Sequence, residues 1–205
     1  MYYIIFYTII ILSMFYLLNI ILIKVNINLV NIKDINKNII VDLKYFTKDN
    51  FMKLKLYNTN KCFLNKEVAY KLSNVQKNLE KINLGLKVYD CYRPKSVQIQ
   101  MWNKLPNDNY VSNPYTNKSN HGKGLAVDVI LVDKNGNELE MPSEFDDFSI
   151  KSHRNYKYIT NNSKKNKELL DKYMTKEGFI YHNNEWWHFH YNNNNKVYSI
   201  LDFSL

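Results

Sequence analysis

The segment Leu125–Val132, LAVDVILV, is the feature that most restricts how this chain folds. Seven of its eight side chains are apolar, and such a run is typical of a β-strand that is covered on both faces. Asp128 lies inside the run. An ionised carboxylate between apolar layers costs free energy unless a cation or strong hydrogen-bond donors compensate it. We therefore expect a cationic or hydrogen-bonding partner for Asp128.

The rest of the chain alternates helical and strand patterns. Helices are predicted where apolar residues recur at steps of three and four, and strands where short apolar or aromatic runs lie between turn residues. The predicted helices are 67–82, 94–102 and 164–176, and the predicted strands are 86–90, 125–132, 179–182 and 186–191. Ser163 is expected to cap the last helix and Gly178 to end it.

Three segments are expected along the chain. Residues 36–205 predict a single α+β domain in which helices flank a small antiparallel sheet, because 45% hydrophobic content suffices for one core. Residues 25–35 show no clear period and predict a linker. Residues 1–24 predict a hydrophobic helix, since Tyr2–Ile23 has no charged side chain and is long enough to cross a bilayer. A membrane anchor is favoured over a signal segment, because no basic start or small-residue cleavage site is evident.

Charge and cysteine content restrict the partners. The net charge of +9 comes almost entirely from lysine, since Arg93 and Arg154 are the only arginines. No run of basic residues interleaved with aromatics marks a nucleic-acid groove, so no nucleic-acid partner is expected. Cys62 and Cys91 are too few for a structural zinc site of the paired-cysteine kind. They predict either one disulfide or two unlinked core residues.

Candidate metal ligands occur on both sides of Asp128 in the sequence. His121 lies seven residues earlier in SNHGKG, where two glycines allow the loop to fold back toward the strand. This spacing alone also fits a buried aspartate beside an unrelated loop histidine. The later segment EWWHFHY supplies a second histidine, His188, and a carboxylate, Glu185. Two histidines and one aspartate that leave a fourth position open are typical of catalytic zinc.

Glu185 is then the candidate base, because zinc lowers the pKa of bound water enough for a carboxylate to activate it. In an extended strand Glu185 and His188 point to opposite sides, so we expect a turn or bulge between them. The alternative is a buried aromatic hairpin whose histidine and glutamate only cap its end. The remaining histidines are expected outside the ligand set; they are His153, His182 and His190.

Four spaced segments carry a family resemblance. They are VDLKYFTKDNF from Val41, VYDCYRP from Val88, SNHGKGLAVD from Ser119 and EWWHF from Glu185. With them the chain resembles, over roughly residues 36–191, the VanX-type D-alanyl-D-alanine dipeptidases of the zinc D-Ala-D-Ala metallopeptidases. The resemblance implies one zinc ion per chain, held by His121, Asp128 and His188, with Glu185 as general base.

The resemblance also implies roles for three further residues. Arg93 corresponds to the arginine that stabilises the tetrahedral transition state, and a structural pair with Asp90 is its alternative. Asp146 in EFDDF resembles the acidic residue that receives the free amine of the substrate, although Asp147 competes for this role and an expected glycine is missing nearby. Ser119 is expected either to line the same pocket or to form a turn.

These features predict zinc-dependent hydrolysis of the D-alanyl-D-alanine dipeptide to D-alanine, linked to cell-wall peptidoglycan metabolism. Two alternatives stay open: a carboxypeptidase or endopeptidase acting on wall peptides, and a membrane-tethered wall-binding module without catalysis. The expected partners are a small D,D-dipeptide and a membrane; the sequence does not indicate an oligomeric state. Wall turnover favours the periplasmic side of the cell envelope, whereas Lys24, Lys33 and Lys37 favour a cytoplasmic domain by the positive-inside rule.

Overall fold

The computed structural model describes residues 29–192 and 198–204 of the chain. The hydrophobic helix predicted at residues 1–24 lies outside these ranges. Among the residues described, none of the helices combines the length and apolar character needed to span a bilayer.

Seven strands and four helices form the described part of the chain. The strands are β1 Leu29–Asn31, β2 Ile40–Val41, β3 Phe63–Asn65, β4 Leu84–Asp90, β5 Ala126–Asp133, β6 Phe179–His182 and β7 Glu185–Tyr191. The helices are α1 Ile32–Ile35, α2 Lys66–Glu80, α3 Lys95–Lys104 and α4 Asn161–Lys176. Short 3-10 turns lie at Lys44–Phe46, His121–Lys123 and Ile150–Ser152.

The main sheet has five strands in the order β2-β4-β5-β7-β6. The predicted α+β class is confirmed, and the four strands predicted from the sequence pair antiparallel, but a further parallel strand makes the sheet mixed rather than antiparallel. Strand β2 pairs parallel to β4, whereas the other three pairings are antiparallel. The sequence between β2 and β4 includes helix α2, which is a connection long enough for parallel pairing. A separate two-stranded antiparallel sheet joins β1 and β3.

Strand β5 lies at the centre of the main sheet and is covered on both faces, as the apolar run predicts. Its residues from Ala126 to Val132 are at most 5% exposed. The core around it includes α2 and α4, whose apolar faces contribute Leu72, Leu79 and Leu170. Asp128 therefore lies on the most completely buried of the described strands.

The predicted linker is wrong for residues 29–35, which belong to the folded domain. Strand β1 pairs with β3, and helix α1 follows directly. Ile32 is fully buried, and its N–H donates to the carbonyl of Cys62 at 2.9 Å. Elements of three and four residues are too short to display a period, because their order depends on the partner strand. Residues 25–28 lie outside the described ranges.

The start of helix α4 also differs from the prediction. Thr160, rather than Ser163, is the cap, and its hydroxyl accepts a hydrogen bond from the N–H of Ser163 at 3.0 Å. Ser163 itself is buried in the first turn. Gly178 follows the helix with a φ of +88°, which agrees with its predicted role as the end signal.

Cys62 and Cys91 form a disulfide, which decides between the two alternatives left by the sequence. Their Cα atoms are 5.6 Å apart and both residues are buried. The bond ties the segment before β3 to the turn that follows β4. That turn leads directly into Arg93.

We expect the double variant Cys62→Ser/Cys91→Ser to unfold more readily than the parent in urea. The bond joins residues 29 positions apart. Closing a loop of this length lowers the conformational entropy of the unfolded chain, which raises the free energy of unfolding by roughly 3–4 kcal/mol. Equal free energies of unfolding for parent and variant under oxidising conditions would refute this expectation. A reducing agent should bring the parent to the stability of the variant.

Candidate functional site

The three predicted metal ligands converge at one end of the central strand. His121 occupies the 3-10 turn that precedes β5, Asp128 lies on β5, and His188 lies on β7. Asp128 and His188 are direct partners in the β5–β7 ladder. One potential ligand atom from each of the three residues lies within 4.8 Å of the others.

The distances between donor atoms fit a tetrahedral ion. His121 Nε2 lies 3.2 Å from His188 Nδ1 and 3.4 Å from Asp128 Oδ1, and the last two atoms are 3.0 Å apart. Ligands bound to zinc at about 2.0–2.1 Å in tetrahedral geometry are roughly 3.3–3.4 Å apart. His121 Nδ1 lies 2.6 Å from the carbonyl of Cys91, an interaction that leaves Nε2 free to bind a metal. Two imidazoles and one carboxylate therefore fit zinc in both chemistry and spacing.

The charges within the cluster compensate the burial of Asp128. Burial opposes the ionisation of Asp128, but the adjacent His121 and His188 hold the pKa of its carboxyl well below the usual range. Burial lowers the pKa of His188, whereas the negative charge of Asp128 raises the pKa of His121 above its usual value in spite of burial. Asp128 thus has the compensating partners that its burial requires.

Arg93 lies at the corner between β4 and α3 and is held by two side chains. Its Nε and Nη2 donate to Asp90 Oδ2 at 3.0 and 2.6 Å, and Nη1 donates to Gln98 Oε1 at 3.0 Å. The guanidinium also lies 5.3 Å from the ring centre of Tyr45. The structural pair with Asp90, considered as an alternative, is therefore present, and Arg93 lines the site cavity as well.

Glu185 is the first residue of β7 and is only 7% exposed. The expected irregularity is present next to it, because the register of the β6–β7 pair shifts between Tyr181 and His182. Glu185 and His188 consequently line the same cavity in spite of their spacing along the strand. Burial raises the pKa of Glu185 well above its ordinary value, and the charges of Asp128 and Asp146 raise it further.

Asp146, rather than Asp147, lines the cavity. Its carboxylate accepts hydrogen bonds from the Tyr45 hydroxyl at 3.0 Å and from the N–H of Phe51 at 3.2 Å. Burial raises the pKa of Asp146 to about 7. Asp147 instead accepts from the N–H of Ser149. Of the two aspartates that the sequence offers for binding the substrate amine, Asp146 is therefore the one whose position fits the role.

Ser119 combines both of its predicted alternatives. It lines the cavity, and its hydroxyl accepts a hydrogen bond from the N–H of Gly122 at 3.1 Å, which closes a turn that contains His121. His182 and His190 also line the cavity beside the predicted ligands, but neither belongs to the ligand cluster. His153 lies outside it, 2.9 Å from the Tyr110 hydroxyl.

All these cavity-lining residues share one small space of about 110 Å³. Tyr45 and Gln98 hold Asp146 and Arg93, and neither is among the residues predicted from the sequence. Tyr45 lies within one of the four family-like segments, which is a signal that its position matters. Gln98 carries no comparable signal, because its role depends on how α3 packs beside the corner.

Comparison with known proteins agrees with this arrangement. A family model described as D-Ala-D-Ala dipeptidase matches residues 25–204. The chain belongs to this family. Two relatives in the family are named D-alanyl-D-alanine dipeptidase. The protein of Escherichia coli is 34% identical over 161 residues, 78% of this chain and 83% of that protein. The protein of Enterococcus faecalis is 32% identical over 168 residues, 72% of this chain and 83% of that protein.

One solved structure shows a distant similarity to this chain. A vancomycin-resistance D,D-pentapeptidase, VanY, in complex with Zn(II) aligns with a TM-score of 0.43 and 17% identity. The alignment covers 68% of this chain and 78% of that one. The family resemblance stated from the sequence is confirmed by the family model and by the two relatives.

Substituting His188 should abolish tight binding of zinc. We expect His188→Ala to weaken zinc affinity by more than about 100-fold, because loss of a ligand exceeds the effect of losing an outer hydrogen bond. His190→Gln, on the same strand, is the matched control and should bind zinc like the parent. Competition with a chromophoric chelator measures both affinities. Equal losses in the two variants would contradict the proposed ligand set.

The raised pKa of Glu185 should appear as a pH-dependent cost to the metal-free fold. When folding raises the pKa of a carboxyl group, the free energy of unfolding falls as the pH rises above the pKa of that group in the unfolded chain. The reason is that folding then requires uptake of a proton. The neutral variant Glu185→Gln should therefore be more stable than the parent at pH 8. The two should converge near pH 4, where the parent is protonated in both states. Denaturation of chelator-treated protein at both pH values tests this, and a parent more stable than the variant at pH 8 would refute it.

Proposed function

We propose that this chain hydrolyses the D-alanyl-D-alanine dipeptide to D-alanine with one zinc ion. The observation that carries the proposal is a single small cavity whose wall contains His121, Asp128 and His188 together with buried Glu185 and Arg93. Membership of the dipeptidase family and the names of both relatives support the same reaction. A role in peptidoglycan metabolism follows, because D-alanyl-D-alanine is a building block of the wall.

His121, Asp128 and His188 would hold the zinc ion. When bound, zinc lowers the pKa of a water ligand toward neutrality and polarises the carbonyl of the substrate. The contact between His121 Nδ1 and the Cys91 carbonyl fixes the orientation of that ring. The strand pairing of Asp128 with His188 fixes the other two side chains on the sheet.

Glu185 is the proposed general base. Its carboxylate would accept a proton from the attacking water and return it to the nitrogen of the leaving amino acid. Burial among apolar and acidic neighbours raises the pKa of Glu185, which makes the carboxylate a stronger proton acceptor than a solvated one. The adjacent Asn183-Asn184 turn and the register shift support its approach to the cavity.

Arg93 is proposed to stabilise the negative charge that develops on the carbonyl oxygen. Asp90 and Gln98 hold the guanidinium in one orientation but leave some of its N–H groups for a ligand. A donor that is fixed before the reaction stabilises the transition state without further reorganisation. The pair with Asp90 is thus a support for the proposed role rather than a substitute for it.

Asp146 is proposed to bind the ammonium group of the substrate. Its burial and its bonds from Tyr45 and Phe51 hold the carboxylate in the cavity wall. An ammonium group would favour the ionised form of this acid, whose pKa burial raises to about 7. An acylated peptide has no such cation and would leave the acid unpaired. This contact favours a free dipeptide over a longer wall peptide. Ser119 lines the same cavity and is proposed to contact the substrate beside it.

The Glu185→Gln variant tests catalysis directly. We expect kcat for D-Ala-D-Ala to fall by about 100- to 10,000-fold, since the amide cannot accept a proton. Zinc content should equal that of the parent, because Glu185 is not a ligand. Parent-like hydrolysis by the zinc-loaded variant would exclude Glu185 as the base. If the parent cleaved only an N-acylated peptide ending in D-Ala-D-Ala, the carboxypeptidase alternative would replace the dipeptidase.

The Asp146→Asn variant tests substrate recognition. We expect KM for D-Ala-D-Ala to rise by roughly 10- to 100-fold with a smaller effect on kcat, because a hydrogen bond between charged groups contributes about 1.5–3 kcal/mol. Asp147→Asn is the matched control and should keep the parent KM. A larger rise in KM for Asp147→Asn than for Asp146→Asn would assign the role to the other acid.

A location on the outer side of the cytoplasmic membrane is part of the proposal. The disulfide between Cys62 and Cys91 supports it, because such bonds persist in oxidising compartments. The apolar segment Tyr2–Ile23 would then serve as the membrane anchor. Free thiols at both cysteines in protein taken from intact cells would contradict this location.

A further inference from the structure

Arg154 is the second of only two arginines among the 28 basic residues of the chain. The other is Arg93, which lines the cavity. Lysine presents a single ammonium group, whereas arginine presents several N–H donors in a rigid plane. In a chain that otherwise uses lysine, an arginine is expected where several acceptors must be held at once.

The contacts of Arg154 meet this expectation at the β6–β7 hairpin. Its Nε donates to the carbonyl of His182 at 2.8 Å on β6. Its Nη2 donates to the carbonyls of Trp186 at 2.8 Å and of His188 at 3.3 Å on β7. Its own backbone N–H donates to the carbonyl of Asn183 in the connecting turn at 2.9 Å. One residue therefore binds both strands and the turn.

Arg154 is itself held firmly. Its side chain is only 7% exposed, and Nη1 pairs with Asp171 of helix α4. The guanidinium lies 4.6 and 4.7 Å from the ring centres of Tyr181 and Phe189, one on each strand of the hairpin. Lys167 of the same helix donates to the backbone carbonyl of Arg154 at 2.7 Å. Helix α4 thus holds Arg154 in place beside the hairpin.

We infer that Arg154 is a positioning residue that aims Glu185 and His188 into the cavity from one strand. The hairpin pairing is irregular just where these two side chains must face the same space, so the β-ladder alone does not set their orientation. The bonds to the carbonyls of Trp186 and His188 fix the backbone directly after Glu185 and at His188 itself. Arg154 is not one of the described residues that line the cavity.

This inference rests on the proposed function for its kinetic part but not for its metal-binding part. Arg154→Lys keeps the charge and removes the planar set of donors. We expect zinc affinity to fall about 10-fold, as for other partners that orient a ligand. With zinc saturating, kcat for D-Ala-D-Ala should fall roughly 10- to 100-fold because the base is misplaced. KM should stay the same, since Arg154 does not line the cavity.

Lys71→Met is the matched control. Lys71 lies 5.5 Å from the ring centre of Tyr191, at the far end of the same hairpin strand. Its loss removes a cation from the hairpin without touching the carbonyls beside the site. We expect parent-like zinc affinity and kcat, with at most a lower thermal midpoint.

The outcomes separate the possible explanations. Arg154→Lys with a lower thermal midpoint but with the parent's zinc affinity and kcat would reduce Arg154 to a structural role and overturn the inference. If the parent showed no dipeptidase activity, the proposed function would fail, and zinc affinity alone would decide the role of Arg154. If Arg154→Lys did not fold, Asp171→Asn, which keeps Arg154 and loosens its anchor, should show a smaller loss of zinc affinity and kcat. Parent values for both in that variant would then overturn the inference.

Discussion

The buried carboxylate of Asp128 is the constraint on which the rest of the site depends. The strand around it is covered on both faces, so its charge is compensated from within the protein. His121 reaches it from the preceding turn and His188 from the neighbouring strand. Each needs its own support: a backbone carbonyl for the first, and the ladder of β7 for the second. The metal-binding geometry is therefore a consequence of how one costly charge is stabilised inside a sheet.

The two arginines stabilise the segments that surround the metal-binding residues. Arg93 lies on one side, where the turn after β4 is tied by the Cys62–Cys91 disulfide and where Asp90 orients the guanidinium. Arg154 lies on the other side and binds the hairpin that carries Glu185. Both side chains are largely buried and pair with an acidic residue, and each holds a junction between elements through several hydrogen bonds. A hydrolytic site needs such rigidity, because small displacements of a base or an oxyanion donor cost large factors in rate.

The sequence was informative where the physical signal is local. The apolar run predicted β5 to within about a residue, and the cost of a charge inside that run pointed to Asp128. The parity of Glu185 and His188 predicted the irregular hairpin. Elements whose order depends on distant partners could not be predicted from the sequence. Strand β1 and helix α1 are ordered by the pairing of β1 with β3, and the parallel pairing of β2 depends on the path of the chain. The contacts of Arg154 belong to this second class.

Hydrolysis of D-Ala-D-Ala by this chain should require one zinc ion held by His121, Asp128 and His188. The most direct measurement titrates zinc into protein stripped by a chelator and follows release of D-alanine at each step. We expect no activity in the stripped protein and a linear rise in activity that ends at one zinc ion per chain. Full activity without zinc, or a rise that continues to two ions per chain, would contradict it.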